Sequence, residues 1–282
     1  MFASTLKLEV LKDDDRRHLI EGDSSLQINH YFRHQGPTGD GSVTAEAIGK
    51  NHLIHCRYAQ GHHQDPPTAS AEFTRYANTP VAAENWYQRS WVVQQHLRKA
   101  LERFFPSTFP EASRAFKAAV PLNHSDKGPW NGKVLIWKLP SFVHIDNEDA
   151  IPTLTYPMGC YEGGHLEILD LGARLLYRPG HIALGWTAFL FHMVSPWTLP
   201  KQIPFKDQTF MMKWGVTPGR VAVVNFFRER EYRLLKDKPP AWGPNTNFGR
   251  SDFVAKEDDE GEERPKKKRR GAFGIGKKGQ TA

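Results

Sequence analysis

The sequence predicts an α+β chain that is mainly β, an antiparallel sandwich or jelly roll with supporting N-terminal helices. After about Lys133 short apolar runs alternate with Pro and Gly turns, no helical period separates them, and one long helical pattern lies ahead of them. Parallel α/β sheets need a helix between strands, so this spacing excludes them.

The elements follow in order. Residues 1–130 read as an N-terminal helical and loop support region. Within it, Asn85 to Phe105 places Trp86, Val93, Leu97, Ala100, Leu101 and Phe104 among basic and polar residues, and Pro106 supplies the stop. Residues 30–80 scatter Gly, Pro, Ser and Thr without a sustained period. Residues 131–235 form the β core, with strands expected at 134–137, 164–168, 173–177, 181–186 and 221–227. From Lys236 the composition changes to Pro239-Pro240, a Gly/Asn-rich stretch, an acidic run from Glu257 to Glu263 and the basic run Lys266 to Arg270 behind Pro265. Residues 236–282 therefore read as a disordered charged tail.

The chain has 282 residues and 39% hydrophobic content, enough to bury a sizeable core and to exclude a wholly disordered protein. Its formal net charge of +7 favours polyanionic partners. Only Cys56 and Cys160 are present, so neither a disulfide framework nor a Cys-rich zinc site can form, and a reducing compartment is expected. No apolar core of a secretion signal follows Met1 to Arg17, and the run Ile182 to Val194 falls short of the roughly 20 residues a membrane span needs. A soluble intracellular protein with no membrane partner is the expectation.

His144-Ile145-Asp146 is the sharpest chemical signal. On a strand, residues two apart share a face, so imidazole and carboxylate can reach one metal ion. His192, on a later strand able to pair beside the first, supplies a third ligand. Two His and one carboxylate make the facial triad of non-haem Fe(II) oxygenases, which leaves coordination positions open for co-substrate and oxygen. Arg220, the first arginine after His192, opens the strand Val221–Phe227, and its fork can hold the carboxylate of a 2-oxo acid.

Rival readings compete with this one. His124-Ser125-Asp126 repeats the H-x-D spacing in a loop context, and His165-Leu166-Glu167 offers a His and a carboxylate from a strand. His52, His55, Cys56, His62 and His63 form a local cluster that suggests zinc, although one thiol in a Pro/Gly context fits loop histidines better. A metal-free polar network is the bland alternative for His144, Asp146 and His192. Trp130, Trp137, Trp186, Trp197 and Trp214 read mostly as packing, with one or two able to stack on a base.

His144 to Pro152, followed by Tyr161-Glu162-Gly163-Gly164, Asp170-Leu171-Gly172, Tyr177-Arg178-Pro179-Gly180 and His192-Met193-Val194, resembles the fungal 2-oxoglutarate/Fe(II) oxygenases related to the ten-eleven translocation and J-binding proteins. The resemblance spans about residues 130–230 and departs at His181, where an acidic residue is usual, and in the long link Thr198 to Gly219. It implies a double-stranded β-helix, with His144, Asp146 and His192 on Fe(II) and Arg220 on 2-oxoglutarate. It also implies molecular oxygen as co-substrate and DNA containing methylated bases as partner, 5-methylcytosine first and N6-methyladenine second. The basic run Lys266 to Arg270 suggests the nuclear import machinery and a nuclear location. The alternatives are an oxygenase acting on a protein side chain or metabolite, and a jelly-roll binding module without turnover.

Overall fold

The computed structural model describes residues 8–10, 49–58, 66–74, 78–119, 125–138, 141–198, 200–202 and 219–250. Its strands are β1 (Leu8–Val10), β2 (Gly49–Ile54), β3 (Gly132–Trp137), β4 (Ser141–His144), β5 (Thr153–Gly159), β6 (Glu162–Gly163), β7 (Leu166–Ile168), β8 (Ala173–Leu175), β9 (Ala183–Gly185), β10 (His192–Val194), β11 (Trp197–Thr198) and β12 (Arg220–Phe226). One five-stranded sheet runs β1-β8-β7-β10-β4, a second runs β2-β3-β12-β5-β9, and β11 pairs with β6. Every described strand pairing is antiparallel. From β3 onward the chain passes back and forth between the two large sheets.

The second sheet has two different faces because side chains alternate along each strand. Leu135, Leu154, Tyr156 and Val223 point into the main core with Tyr87, Leu97, Leu101, Ala112 and Phe116 of the helices Asn78–Phe104 and Phe109–Ala119. Val134, Ile136, Thr153, Thr155, Ala222, Val224 and Phe226 point the other way and line a cavity of about 720 Å³. Gly132 permits this on β3: a Cβ there would lie 2.6 Å from the Phe226 ring, so only glycine lets the ring settle over the strand.

Several expectations need correction. The long helix begins at Asn78, earlier than the apolar period indicates, because Pro80 falls in the first turn where a missing N–H costs nothing. The support region also contributes strands: β2 pairs with β3 from Gly49↔Trp137 to Ile54↔Gly132, satisfying an edge that would otherwise be open. The expected strand 164–168 begins only at Leu166, since Gly163 and Gly164 before it both have positive φ, 78° and 61°. Finally, ordered structure continues past Lys236. A short helix covers Trp242–Thr246, Trp242 and Phe248 pack against the main core, and the Ala241 N–H donates to the Lys117 carbonyl at 2.7 Å. These aromatics give residues 236–250 apolar area to bury despite their Pro and Gly content. Residues 251–282, with the acidic and basic runs, lie outside the described residues. No described helix is long and apolar enough to cross a membrane.

Candidate active site

His144 closes β4 and His192 opens β10, and the two are direct partners in the antiparallel register. That pairing brings their rings to 4.3 Å between centroids. Strand β4 ends at His144, so Asp146 is placed by a turn and not by strand alternation. Its N–H donates to the Thr187 carbonyl at 3.0 Å, and its own carbonyl accepts from the Asp149 N–H at 2.8 Å. The carboxylate then stands 3.8 Å from His144 Nε2 and 3.6 Å from His192 Nε2. These separations are too long for hydrogen bonds, yet the ligand atoms of all three residues lie within 4.8 Å of one another.

Protonation favours metal binding. His144 Nδ1 faces the Phe142 carbonyl, and His192 Nδ1 faces the Leu190 carbonyl at 2.9 Å. A carbonyl only accepts, so each Nδ1 carries the proton and each Nε2 presents its lone pair to the common centre. Burial pushes the His192 pKa down, and the neighbouring His144 adds to the effect, which keeps this imidazole neutral.

Arg220 occupies the same cavity. As the first residue of β12 it is only 2% exposed, and its Nε and Nη2 have no hydrogen-bond partner among the described residues. Its guanidinium lies 5.8 Å from the Tyr161 ring centroid and 5.5 Å from that of Tyr177. Gly164 lies against its stem, where a Cβ would come within 3.0 Å of Cδ. The tyrosines are themselves fixed: Tyr161 donates its hydroxyl proton to the Tyr177 carbonyl at 2.6 Å, and Thr155 and Tyr177 share a hydroxyl contact at 2.7 Å. Buried guanidinium donors without an acceptor are costly for the folded chain. Nε and Nη2 could together take a small anion, most naturally a carboxylate, which accepts two parallel N–H donors.

A hydroxyl chain completes the wall beside Asp146. The Thr187 hydroxyl donates to Thr153 Oγ1 at 2.7 Å, and the Thr153 hydroxyl donates to the Asp149 carboxylate. Burial pushes the Asp149 pKa up to about 7. Asp149, Thr153, Tyr161 and Tyr177 escape a reading of the sequence by residue type. Only the position of Asp149 inside the His144 to Pro152 segment hints at it.

The rival motifs are engaged elsewhere. Asp126 is buried, accepts from Lys133 Nζ at 2.7 and 2.6 Å, and meets His55 Nε2 at 2.9 Å. His124 lies outside the described residues, as do His62 and His63, so the zinc cluster is represented only by His52, His55 and Cys56. His55 is taken by Asp126, and burial raises the Cys56 thiol well above its ordinary value. Glu167 is 2% exposed and accepts from Arg174 Nε at 3.0 Å, so it faces a partner on β8 and not a metal. Of the tryptophans, Trp130 is a core residue donating to the Pro152 carbonyl at 2.9 Å, whereas Trp186 lines the cavity. Trp197 sits half-buried on β11, and Trp214 lies outside the described residues.

No protein-family model matches the sequence, and no curated protein matches it. Among solved structures, NgTET1 in complex with 5mC DNA aligns at 13% identity, covering 83% of this chain and 74% of that one, with a TM-score of 0.47. OsALKBH1 aligns at 14% identity over 81% of this chain and 100% of that one, with a TM-score of 0.30. At this distance the function is read from the side chains themselves.

Proposed function

We propose that this chain is an Fe(II)- and 2-oxoglutarate-dependent dioxygenase built on a double-stranded β-helix, and that it oxidises a methylated base in DNA. One observation carries the oxygenase reading: three ligand atoms within 4.8 Å, and a buried guanidinium whose Nε and Nη2 have no acceptor among the described residues, share one cavity. A structural polar network accounts for the first feature but not the second, because a cation left unpaired destabilises the fold it sits in.

The donor set fits the metal, since two imidazole nitrogens and one carboxylate would leave coordination positions open. His144, Asp146 and His192 would hold iron, and Arg220 would hold the distal carboxylate of 2-oxoglutarate. When bound, iron and 2-oxoglutarate supply the activation of molecular oxygen and the oxidation of a C–H bond. The chain supplies position and protection. The Phe142 and Leu190 carbonyls fix the two imidazoles, the Thr187 carbonyl fixes the Asp146 turn, and the Tyr161 and Tyr177 rings lie beside the Arg220 guanidinium and limit its movement. Leu166, Ile168, Leu175, Ile182 and Val194 line the cavity with apolar surface that limits water.

The substrate follows from the resemblance around His144 to Val194 and from the net charge of +7. We take 5-methylcytosine as the first candidate and N6-methyladenine as the second. A base inside a duplex cannot reach a metal in such a cavity, so the target must be turned out of the stack. Lys266 to Arg270 support a nuclear location through the import machinery. The decisive experiment incubates the full chain with Fe(II), 2-oxoglutarate and methylated oligonucleotides, then follows succinate and the nucleosides by mass spectrometry. Succinate together with an oxidised methylated base is expected. Succinate with every base untouched would leave the oxygenase reading and remove the DNA substrate; no metal binding and no succinate would remove both.

A further inference from the structure

The turn between β9 and β10 is fastened to the candidate metal site at both ends. Its Thr187 carbonyl accepts from the Asp146 N–H at 3.0 Å, and its Leu190 carbonyl faces His192 Nδ1 at 2.9 Å. The Thr187 hydroxyl is tied to Thr153, and Ala188 is buried. Between these anchors Phe189 stands 74% exposed. Exposure of this size gives the folded chain little apolar burial, while the anchors on either side fix where the ring stands. The Phe189 ring leans on Trp186 at 6.0 Å between centroids, and Trp186 is braced edge-on by Phe105 at 6.2 Å. Trp186 lines the cavity, so aromatic surface runs continuously from the cavity wall to its rim.

We propose that Phe189 is a wedge that enters the base stack of duplex DNA and fills the gap left when the target base is turned into the cavity. The proposal rests on the reading of the chain as a DNA-base oxygenase and names how that substrate is opened. A flat ring on a fixed turn suits a stack of flat bases, because apolar side chains inserted at a base step hold a duplex unstacked. Charge favours nucleic acid over a peptide as the occupant. The chain as a whole is positive, although at the cavity itself Lys50, Arg220 and Arg228 stand beside Asp146, Glu148 and Asp149, Arg228 pairing with the exposed Glu148 at 3.2 Å. Insertion also has a positional consequence. The turn that carries Phe189 holds Asp146 and His192, so the wedge sets the distance between the opened step and the metal.

The test compares the full chain on a 5-methylcytosine duplex and on the same single strand. Phe189→Ala should lower the duplex-to-single-strand ratio of kcat/KM by about tenfold to a hundredfold, the loss expected for one base–aromatic stack. Phe189→Trp should restore most of that ratio, since it keeps a flat ring. A ratio unchanged in Phe189→Ala overturns the wedge, even if the overall rate falls. Opening is also read without turnover, from the fluorescence of 2-aminopurine beside the target base, with Mn(II) replacing iron. The wild-type chain should brighten the duplex and Phe189→Ala should not. Equal brightening by both, or none by the wild type, overturns the proposal. Brightening that depends on Phe189 without oxidation of any methylated base keeps the wedge and removes the proposed reaction instead.

Discussion

Replacing Arg220 with Met should produce two effects of opposite sign. Without co-substrate, Arg220 is a buried cation whose Nε and Nη2 lack acceptors among the described residues, with the Tyr161 and Tyr177 rings beside it. Substituting an apolar side chain of similar length removes that desolvation cost, and replacements of buried charged groups of this kind gain about 1–4 kcal/mol. For a domain of this size that is a rise of about 2–4 °C in Tm per kcal/mol. In the presence of 2-oxoglutarate the same change removes two charge-assisted hydrogen bonds, worth on the order of 2–4 kcal/mol together, or about 30- to 1000-fold in affinity. Thermal melting of the apo chain and anaerobic calorimetry with metal and 2-oxoglutarate measure the two effects separately. Arg220→Lys should recover only part of the affinity, because a point charge does not reproduce the fork. A Met variant that binds 2-oxoglutarate as the wild type does would refute the assignment. A Met variant that melts lower would refute the claim that the guanidinium is uncompensated in the apo chain.

The remaining predictions concern the metal, the core and the tail. His144→Ala, Asp146→Ala and His192→Ala should each abolish stoichiometric Fe(II) binding and succinate formation, while Glu167→Ala should leave iron content intact; full activity in any ligand variant would refute the site. Asp126→Asn should destabilise the chain by about 3–5 kcal/mol at neutral pH, because it strands Lys133 as an unpaired buried cation, and urea unfolding will show it. The same residue governs acid stability: burial alone would raise the Asp126 pKa, but Lys133 and the His55 hydrogen bond outweigh it and hold the carboxyl well below its usual range. Its contribution is therefore complete above the ordinary carboxylate range and lost as pH falls through and below it, so the Asn variant should show a shallower acid limb. Removing residues 264–282 should move the protein from nucleus to cytoplasm, which microscopy of a tagged chain would check; nuclear retention would defeat the import reading.

The legible and illegible parts of this structure separate along physical lines. Strands β3, β7, β8, β9 and β12 announce themselves by short apolar runs between Pro and Gly turns, and the long helix by its period and Pro106, whereas β5, which also lines the cavity, falls outside the expected strands. Strand β2 does not, because Lys50 and His52 on its cavity side and Asn51 on the other give no clean alternation. Residues 236–250 look too rich in Pro and Gly to fold, but Trp242 and Phe248 supply apolar area that composition averages away. At the site, residue order singles out His144, Asp146, His192 and Arg220, and the fold gathers all four around one cavity. The strand argument for Asp146 does not hold in its original form, since the strand stops one residue after Val143 and a turn held by Thr187 delivers the carboxylate. What makes Arg220 unusual is that its buried Nε and Nη2 find no acceptor among the described residues, a property of three-dimensional surroundings that no sequence pattern encodes. Tyr161 and Tyr177 open two of the segments that carry the resemblance, but nothing in the sequence places them against Arg220.

Strand β12 shows how the fold keeps stability and chemistry apart. Arg220, Ala222, Val224 and Phe226 face the cavity, whereas Val223 faces the core beside Leu135, Leu154 and Tyr156. A period of two thus assigns neighbouring residues to different tasks. The core side holds the strand in place through paired neighbours on both edges, with β3 and β5 in register from Val221 to Asn225. Because both neighbours are fixed by hydrogen bonds along this whole length, the cavity side can carry a buried cation that would unsettle an edge strand. Tolerance of that uncompensated charge is a consequence of where Arg220 sits: at the start of a central strand, under a glycine that admits its stem, and between two rings that are themselves hydrogen-bonded. The same placement makes it part of the lining of the cavity that His144, Asp146 and His192 share.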